Sequence, residues 1–442
     1  MNLATSPAAT ELEVRAGVLG SPRLLAGPGR EIPESLASHL DRLGDPPGGA
    51  GKTSPRDLIQ RIRASGLRGR GGGGFPVGEK LAAVAASTGF RNQAVVVANA
   101  SESEPASAKD RLLLSLRPHL VIDGIEVAAR AVGARRAYIC VSQRSGHAVR
   151  ALQQALGERR EARLLPVAVE VVPAARTFVG GDETALVSWI AGGAPSPTVV
   201  PPLPAHRGLS GRPTLVQNAE SLAHLALIAR FGPDWFRGVG TKEEPGTMLV
   251  TVSGCVTRAG VYEVPVGVRL TDVLDSSGWS PETGAILVGG YFGSWVSRQD
   301  AGDKDLSRAS LATCDAAPGA GVIVALPKSA CGVKETAAVV DWLAAESSGQ
   351  CGPCVHGLAA VAACLAQLAS PGSARRADLG RLLRWCTEIE GRGACRHPDG
   401  VIKLVRSCLR VFAPEVEAHR SGRCSGSYEG WLPLPATAQQ VR

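Results

Sequence analysis

Aromatic residues make up only 4% of this 442-residue chain: seven Phe, seven Trp and four Tyr. Nucleotide stacking needs rings, so any ring near a candidate site counts. The formal net charge is +8, yet no Lys/Arg block is long enough to suggest a nucleic-acid arm, and nucleic acid is not an expected partner. The thinly spread charge instead suits phosphates or an acidic protein. No run of 18 uncharged apolar residues occurs, so no membrane span is expected. The start, MNLATSPAATELEVRAG, lacks a basic segment followed by an apolar one, so no signal peptide is expected. Eleven cysteines are an odd number for a secreted disulfide framework, and they concentrate in the last third. That favours a cytoplasmic protein with metal or redox thiols.

What is present is a globular composition, 44% hydrophobic, long enough for two to four domains. Residues 1–53 read as a variable segment. It ends in GAGKT, which shares the end of a phosphate-binding P-loop; Pro46 stands where that motif needs its first glycine, and the stretch reads as a loop. From 54 the pattern alternates. A helix starts at Ser54-Pro55, strands are expected at 94–100, 136–142 and 167–172, and helices at LRPHLVIDGIEVAARAVG, HAVRALQQALGERR and ETALVSWIAG. This is the α/β alternation of a mostly parallel sheet. A Pro-rich extended stretch leads into the helix AESLAHLALIARFG. A short β-rich segment follows (TMLVTVSG, VYEVPVG, AILVGGYFG), with the helix RLTDVLDSS inside it, resembling a ubiquitin-like module. From about 333 the chain is helical and cysteine-rich. The expected divisions are 1–53, 54–240, 241–332, 333–420 and a tail, 421–442.

The strongest signal in the first half is GLRGRGGGGFPVGEK, Gly66 to Lys80. Glycines let consecutive backbone N–H groups approach one ligand, and Lys80 adds positive charge near the following helix N-terminus. Gly69, Gly71 and Gly74 match G-x-G-x-x-G, but the loop follows a helix rather than a strand, so the dinucleotide-fold reading is weak.

This loop resembles GLRGRGGAGFPTGLKW of the F-type flavoprotein subunit of NADH:quinone oxidoreductase, the family that oxidises NADH in respiratory complex I and has relatives in NAD-linked hydrogenases and formate dehydrogenases. The resemblance continues in order over about residues 55–420. NASESEPASAKDR (99–111) is similar to the family's NADEGEPGTFKDR, and FVGGDETAL (178–186) to YICGEETAL. PPLPAHRGLSGRPTLVQNAES (201–221), SGCVTRAGVYEVPVG (253–267) and ESSGQCGPC (346–354, against ESCGKCTPC) follow.

The resemblance implies an α/β FMN-binding domain with a mostly parallel sheet, a ubiquitin-like β-grasp module of the SLBB type, and a C-terminal helical bundle carrying a 4Fe-4S cluster. It implies electron flow from NAD(H) or NADP(H) through FMN to that cluster. FMN is expected against Gly69, Gly71, Gly72 and Lys80. Asn99 and Asn218 are expected on the flavin or its ribityl chain, although each could equally serve a turn or helix cap. Gly181, Asp182 and Glu183 are expected near the isoalloxazine, Glu102 and Glu104 near the nicotinamide, and Phe75 on a dinucleotide ring. Glu102 and Glu183 are the candidate catalytic residues. Partners implied are a nicotinamide dinucleotide and a thioredoxin-like iron–sulfur subunit or a ferredoxin, the protein being peripheral to the membrane through a complex.

The chain departs from the family pattern at Ser101 (Asp there), Asp182 (Glu), Leu81 (aromatic), Leu203 (Phe) and Ser348 (Cys). These departures leave open a carrier or assembly subunit supplied by another donor. For the cluster, Cys351, Cys354 and Cys395 match three family ligands, and Ser348 occupies the fourth position. Ser348, Cys386, His356, His397 or an exogenous ligand could complete it, or a three-iron cluster could form. Two other readings of the same cysteines remain: a thioredoxin-type CGPC redox pair and a zinc site completed by a histidine.

Overall fold

The computed structural model describes residues 15–29, 32–47, 53–89, 92–424 and 426–435. Most of the GAGKT stretch lies outside the described residues.

Among the described residues, ten strands form two sheets: β1 (Arg15–Val18), β2 (Val95–Ala100), β3 (Arg136–Val141), β4 (Ala168–Pro173), β5 (Thr214–Asn218), β6 (Thr247–Gly254), β7 (Gly260–Pro265), β8 (Thr283–Val288), β9 (Ser294–Ser297) and β10 (Val322–Pro327). The first sheet has the order β4-β3-β2-β5 and is parallel throughout. β2 reads VVVANA, an apolar run suited to a strand covered on both faces. Its alternate side chains divide accordingly. Val96 and Ala98 join the main core, while Val95 and Val97 join a smaller cluster with Leu186 and Leu209.

The main core is completed by the helices Pro55–Ser65, Pro118–Val132 and Ala219–Arg237. The last two pack so closely that a Cβ on Gly124 would collide with the Leu222 carbonyl. Ser54 caps the first of them, with Pro55 at its first position, and Gly66 ends it in the left-handed region. The helix expected over LRPHLVIDGIEVAARAVG is present as Pro118–Val132, and a separate helix, Lys109–Leu116, precedes it. Pro118 disfavours helical geometry at Arg117, whose φ of −132° and ψ of 51° break the run.

The second sheet runs β1-β7-β6-β10-β8-β9. β6 and β7 form an antiparallel hairpin, the helix Leu270–Ser277 follows, and β10 returns parallel to β6 at the centre. That is the β-grasp arrangement. Its edge strand β1 comes from the N-terminal stretch that read as variable, as does the helix Leu36–Leu43. The C-terminal region is a bundle of the helices Gly332–Ala345, Ala359–Ala369, Leu379–Ile389, His397–Val411 and Ala413–Arg420 around its own core. No helix among the described residues is long and apolar enough to cross a membrane.

Candidate functional site

In an open parallel sheet, ligands bind at the carboxyl ends of the strands. Here Asn99 is the penultimate residue of β2 and Asn218 ends β5, and the two are partners in the ladder. The glycine loop lies across this edge: a Cβ on Gly71 would sit 3.2 Å from Asn218 Cβ. Gly69 N–H donates to Phe75 O at 2.9 Å, closing the loop, and Gly74 has φ +63°. A side chain at Gly74 would be strained and would collide with the Arg308 guanidinium, which itself donates to Gly72 O at 3.1 Å. The amides of Gly71, Gly72 and Gly73 have no protein acceptor among the described residues. Arg308 and Arg68 reach the loop carbonyls of Gly72 and Gly74, partly balanced by Glu244, and Lys80 on the following helix pairs with Glu183. Free amides amid cations form an anion cradle, and these residues fit the phosphate of FMN.

Around the cradle the polar groups are densely paired. Asn99 Nδ2 donates to Gly181 O at 3.0 Å, and its Oδ1 accepts from the Ser101 hydroxyl at 2.7 Å. Asn218 caps the helix after β5, donates to Asp110 at 2.7 Å and accepts from Lys109 Nζ at 3.0 Å. Asp182 caps the helix Glu183–Ile190 through Thr184 N at 2.8 Å. Its neighbour Glu183 reaches back to Lys80, Nζ to Oε2 2.6 Å. Gly181 lies against Ser103, and a Cβ there would overlap that hydroxyl.

The two acids after β2 point away from open solvent. Glu102, at an unusual φ of 44°, accepts from Asp110 N at 2.9 Å and Ser107 Oγ at 3.0 Å, so its carboxylate caps the helix Lys109–Leu116. Burial and the nearby Asp110 push its carboxyl above the usual range. Glu104 is buried and accepts Tyr291 N–H at 2.8 Å, tying the loop after β2 to the loop after β8. Burial pushes it up to about 7. Phe75, 61% exposed, stands at the lip of the cradle.

The sequence-predicted cysteines converge. Cys351 and Cys354 lie in the turn before the helix Ala359–Ala369, and Cys395 lies just before His397–Val411. Cys351 hydrogen-bonds the Cys354 thiol and takes the amides of Ala394 and Cys354. Burial opposes its ionisation, but these donors draw it below the usual thiol range. Burial and the neighbouring Cys351 push Cys354 up to about 12. Burial also raises Cys395, with the His397 amide on its sulfur opposing and Asp182 and Cys351 adding to the rise. Three thiols with amide donors on their sulfurs fit an iron–sulfur cluster.

The fourth position differs from simple expectation. Ser347 is the serine that hydrogen-bonds Cys354, whereas Ser348 Oγ lies 3.5 Å from Gln350. Cys386 is fully buried in the helical core beside Cys364. His397 turns Nε2 to Leu343 O at 2.8 Å, leaving Nδ1 buried without a hydrogen bond among the described residues. His356 is exposed. The CGPC turn follows the helix Gly332–Ala345, not a strand, which removes the structural basis of the thioredoxin-type reading.

A single turn links the cradle side to the thiols. Phe178 N–H donates to Glu346 at 2.7 Å, and the Phe178 ring packs edge-on against Trp342 and His397. Asp182 is close enough to Cys395 to influence its charge. One turn, 178–183, therefore borders both sites.

Comparison with known proteins matches three family descriptions: the Nuo51 FMN-binding domain over 62–227, the SLBB domain over 249–289, and the NADH-ubiquinone oxidoreductase-F iron-sulfur binding region over 334–419. The chain is 31% identical over 382 residues to the second F-type subunit of the NADH-quinone oxidoreductase of Rhizobium meliloti (strain 1021), covering 84% of this chain and 90% of that one. The chain belongs to the F-type flavoprotein family of NADH:quinone oxidoreductases. Within the family it is 33% identical to the F-type subunit of the NADH-quinone oxidoreductase of Streptomyces coelicolor, with 84% of each chain covered. It is 31% identical to the HndC component of the NADP-reducing hydrogenase of Solidesulfovibrio fructosivorans, covering 83% of this chain and 76% of that one. The crystal structure of an air-oxidized NAD+-reducing NiFe-hydrogenase superposes with TM-score 0.77 at 29% identity, covering 88% of this chain and 67% of that one.

Against the family pattern, Leu81 is fully buried in the main core, so the aromatic missing there is not a missing wall of the cradle. Leu203 is half exposed. Sequence reasoning passed over Lys109, although it stands in the quoted KDR motif. Its buried Nζ sits 2.8 Å from Asp110, 2.9 Å from Glu220 and 3.0 Å from Asn218. A lysine directly after the small-residue run Ala106-Ser107-Ala108 carries no signal of being buried. Arg308 was equally invisible, because it arrives from the β-grasp region.

Proposed function

We propose that this chain is the electron-entry component of an NAD(P)H-oxidising assembly, holding FMN over the glycine loop and a 4Fe-4S cluster on Cys351, Cys354 and Cys395. The observation that carries this reading is the 178–183 turn, which borders both the cradle and the thiols. When bound, the flavin exchanges two electrons with a dinucleotide and single electrons with a cluster.

The chain's own residues bind and position. The Gly71–Gly73 amides and Lys80 hold the phosphate end. Asn99 and Asn218 fix the floor, each tied by its amide to a neighbouring strand end or turn. Glu183 sets the position of Lys80, and Phe75 offers its exposed ring to a nucleotide base. Glu102 and Glu104 shape the loop that faces the dinucleotide while keeping their carboxylates out of bulk water. Ser348, three residues ahead of Cys351, takes the family's fourth-ligand position, and its side chain has to turn from Gln350 to reach the cluster, since Ser347 is the serine on Cys354.

The relatives are components of larger oxidoreductases, and a thioredoxin-like iron–sulfur subunit or a ferredoxin is the partner class that would draw electrons onward. The decisive experiment is an anaerobic titration of purified protein, followed by flavin absorbance and EPR. Flavin bleaching and a new cluster signal on adding NADH or NADPH are expected. Absence of bound flavin would overturn the reading. Bleaching by dithionite alone would favour a carrier protein supplied by another donor.

A further inference from the structure

At the opposite end of the helical bundle from Cys351 and Cys354, three other ligand-type side chains meet. Cys331 precedes the helix Gly332–Ala345, His419 lies in the last turn of Ala413–Arg420, and Cys424 follows in the tail. His419 Nε2 is 3.5 Å from Cys331 Sγ and 3.0 Å from Cys424 Sγ, and the three atoms all lie within 4.8 Å of one another. The imidazole is fixed from its other side: Nδ1 donates to Leu368 O at 2.7 Å. That bond leaves Nε2 as the lone-pair nitrogen facing both sulfurs. A carbonyl on one ring nitrogen and ligands on the other is the setting of metal-bound histidines. Beside them, the Glu415 carboxyl hydrogen-bonds the Cys331 thiol, and its Oε2 is buried with no partner among the described residues.

We propose that Cys331, His419 and Cys424 form a zinc site, with the Glu415 carboxylate, now on the Cys331 thiol and outside the three-atom cluster, closing in as its fourth ligand. Zinc takes thiolates at ~2.3 Å and imidazole at ~2.0 Å in a tetrahedron, which requires donors crowded as these are. An iron–sulfur cluster gives each iron its own thiolate and so spaces them more widely. Two thiolates with an imidazole also select zinc over magnesium or calcium. Loading exchanges the two thiol protons for one divalent cation, and the Cys424 thiol gives up its bond to Gly426 O, 3.0 Å away.

The site is separate from the electron-transfer thiols. Fourteen residues of helix, Gly332–Ala345, lie between them, a rise of about 21 Å. A redox-inert ion there acts as a staple. It fastens the tail to the start of that helix, where Cys331 N–H already donates to Ser427 O at 2.8 Å and Ser427 N–H to Ser329 O at 3.0 Å.

The test uses full-length protein purified anaerobically with flavin and iron in place. Parent, Cys424→Ser and His419→Gln proteins are equilibrated with zinc, passed over a desalting column and analysed for metals. The parent should keep about one zinc per chain and each variant a small fraction of that, with iron and flavin at parent levels. Cobalt added to zinc-free parent should give the intense visible bands and thiolate charge-transfer absorption of a tetrahedral site. Should the variants fail to fold, the parent alone decides. Zinc must protect Cys331 and Cys424 from alkylation, mapped by mass spectrometry. Equal zinc in parent and variants, no zinc in the parent, a cobalt spectrum without these bands, or unprotected thiols would each overturn the proposal. So would a Cys331–Cys424 disulfide in anaerobic protein.

Discussion

Lys80 Nζ and Glu183 Oε2 stand 2.6 Å apart, joining the helix after the glycine loop to the helix after the Gly180-Gly181 turn. Both side chains are partly exposed, at 20% and 32%, so the pair itself adds at most about 1 kcal/mol to stability. On the proposed reading, the pair holds the ammonium where a flavin phosphate over the glycine loop can reach it. Lys80→Met should therefore weaken FMN retention roughly ten- to hundredfold, the ~1.5–3 kcal/mol of a charged hydrogen bond, with little change in unfolding temperature. Glu183→Gln should weaken it much less. Equilibrium dialysis of flavin, alongside thermal unfolding, checks both.

Gly71→Ala should damage the site through sterics. The added Cβ at 3.2 Å from Asn218 Cβ has a capping side chain in its way, so a cost of about 1–3 kcal/mol is expected, together with reduced flavin content. Gly157→Ala is the matched control. It lies within the helix Gly146–Glu161 with open space around it, and should stabilise by about 0.5–1 kcal/mol with flavin unchanged. Urea unfolding and flavin absorbance distinguish the two.

Ser348→Cys restores a thiolate where the chain carries a hydroxyl. Iron and sulfide content should reach full four-iron occupancy, and the EPR signal of reduced protein should change g-values relative to the parent. Cys351→Ser should lose most of the iron. An unchanged signal in the Ser348 variant would mean that its side chain does not reach the cluster.

Glu104 makes stability depend on pH in a defined window. Its folded value is raised to about 7 from 4.5, so the folded state prefers the protonated carboxyl. The stabilisation is complete below about pH 4.5 and is lost as pH rises through 7, on the order of 3 kcal/mol in all. Glu104→Gln keeps an acceptor for Tyr291 N–H and removes this slope. The variant should be more stable than the parent at pH 8 and close to it at pH 5, as read by denaturant midpoints.

Some strand positions were readable as a buried apolar run bounded by polar turns, as in VVVANA for β2, although the equally apolar VIVALP of β10 was passed over. β5 was not readable, because it follows a proline-rich stretch and its pairing with β2 is a tertiary event. β1 was hidden for the same reason: four residues, RAGV, carry no periodic signal and acquire strand character only by lying beside β7. In the site, the glycine loop announced itself by composition, whereas Cys351, Cys354 and Cys395 were marked by resemblance to the family's ligand pattern. What spacing cannot convey is direction. Glu102 turns back to cap a helix, Glu104 crosses to the loop after β8, Leu81 faces the core, and Ser347 rather than Ser348 meets Cys354.

The stretch 15–29 runs from the edge of the β-grasp sheet into the flavin-side core. Glu263 on β7 accepts the amides of Arg23, Leu24 and Leu25, and Arg117 donates to the carbonyls of Leu25, Ala26 and Gly29. Arg308, on the β-grasp side, touches the glycine loop at Gly72. A leader so anchored works as a dowel between two plates, setting how firmly one guanidinium is pressed onto the anion cradle. A shortened chain beginning at residue 54 would keep every residue assigned to FMN and the iron–sulfur thiols, yet grip its phosphate more loosely.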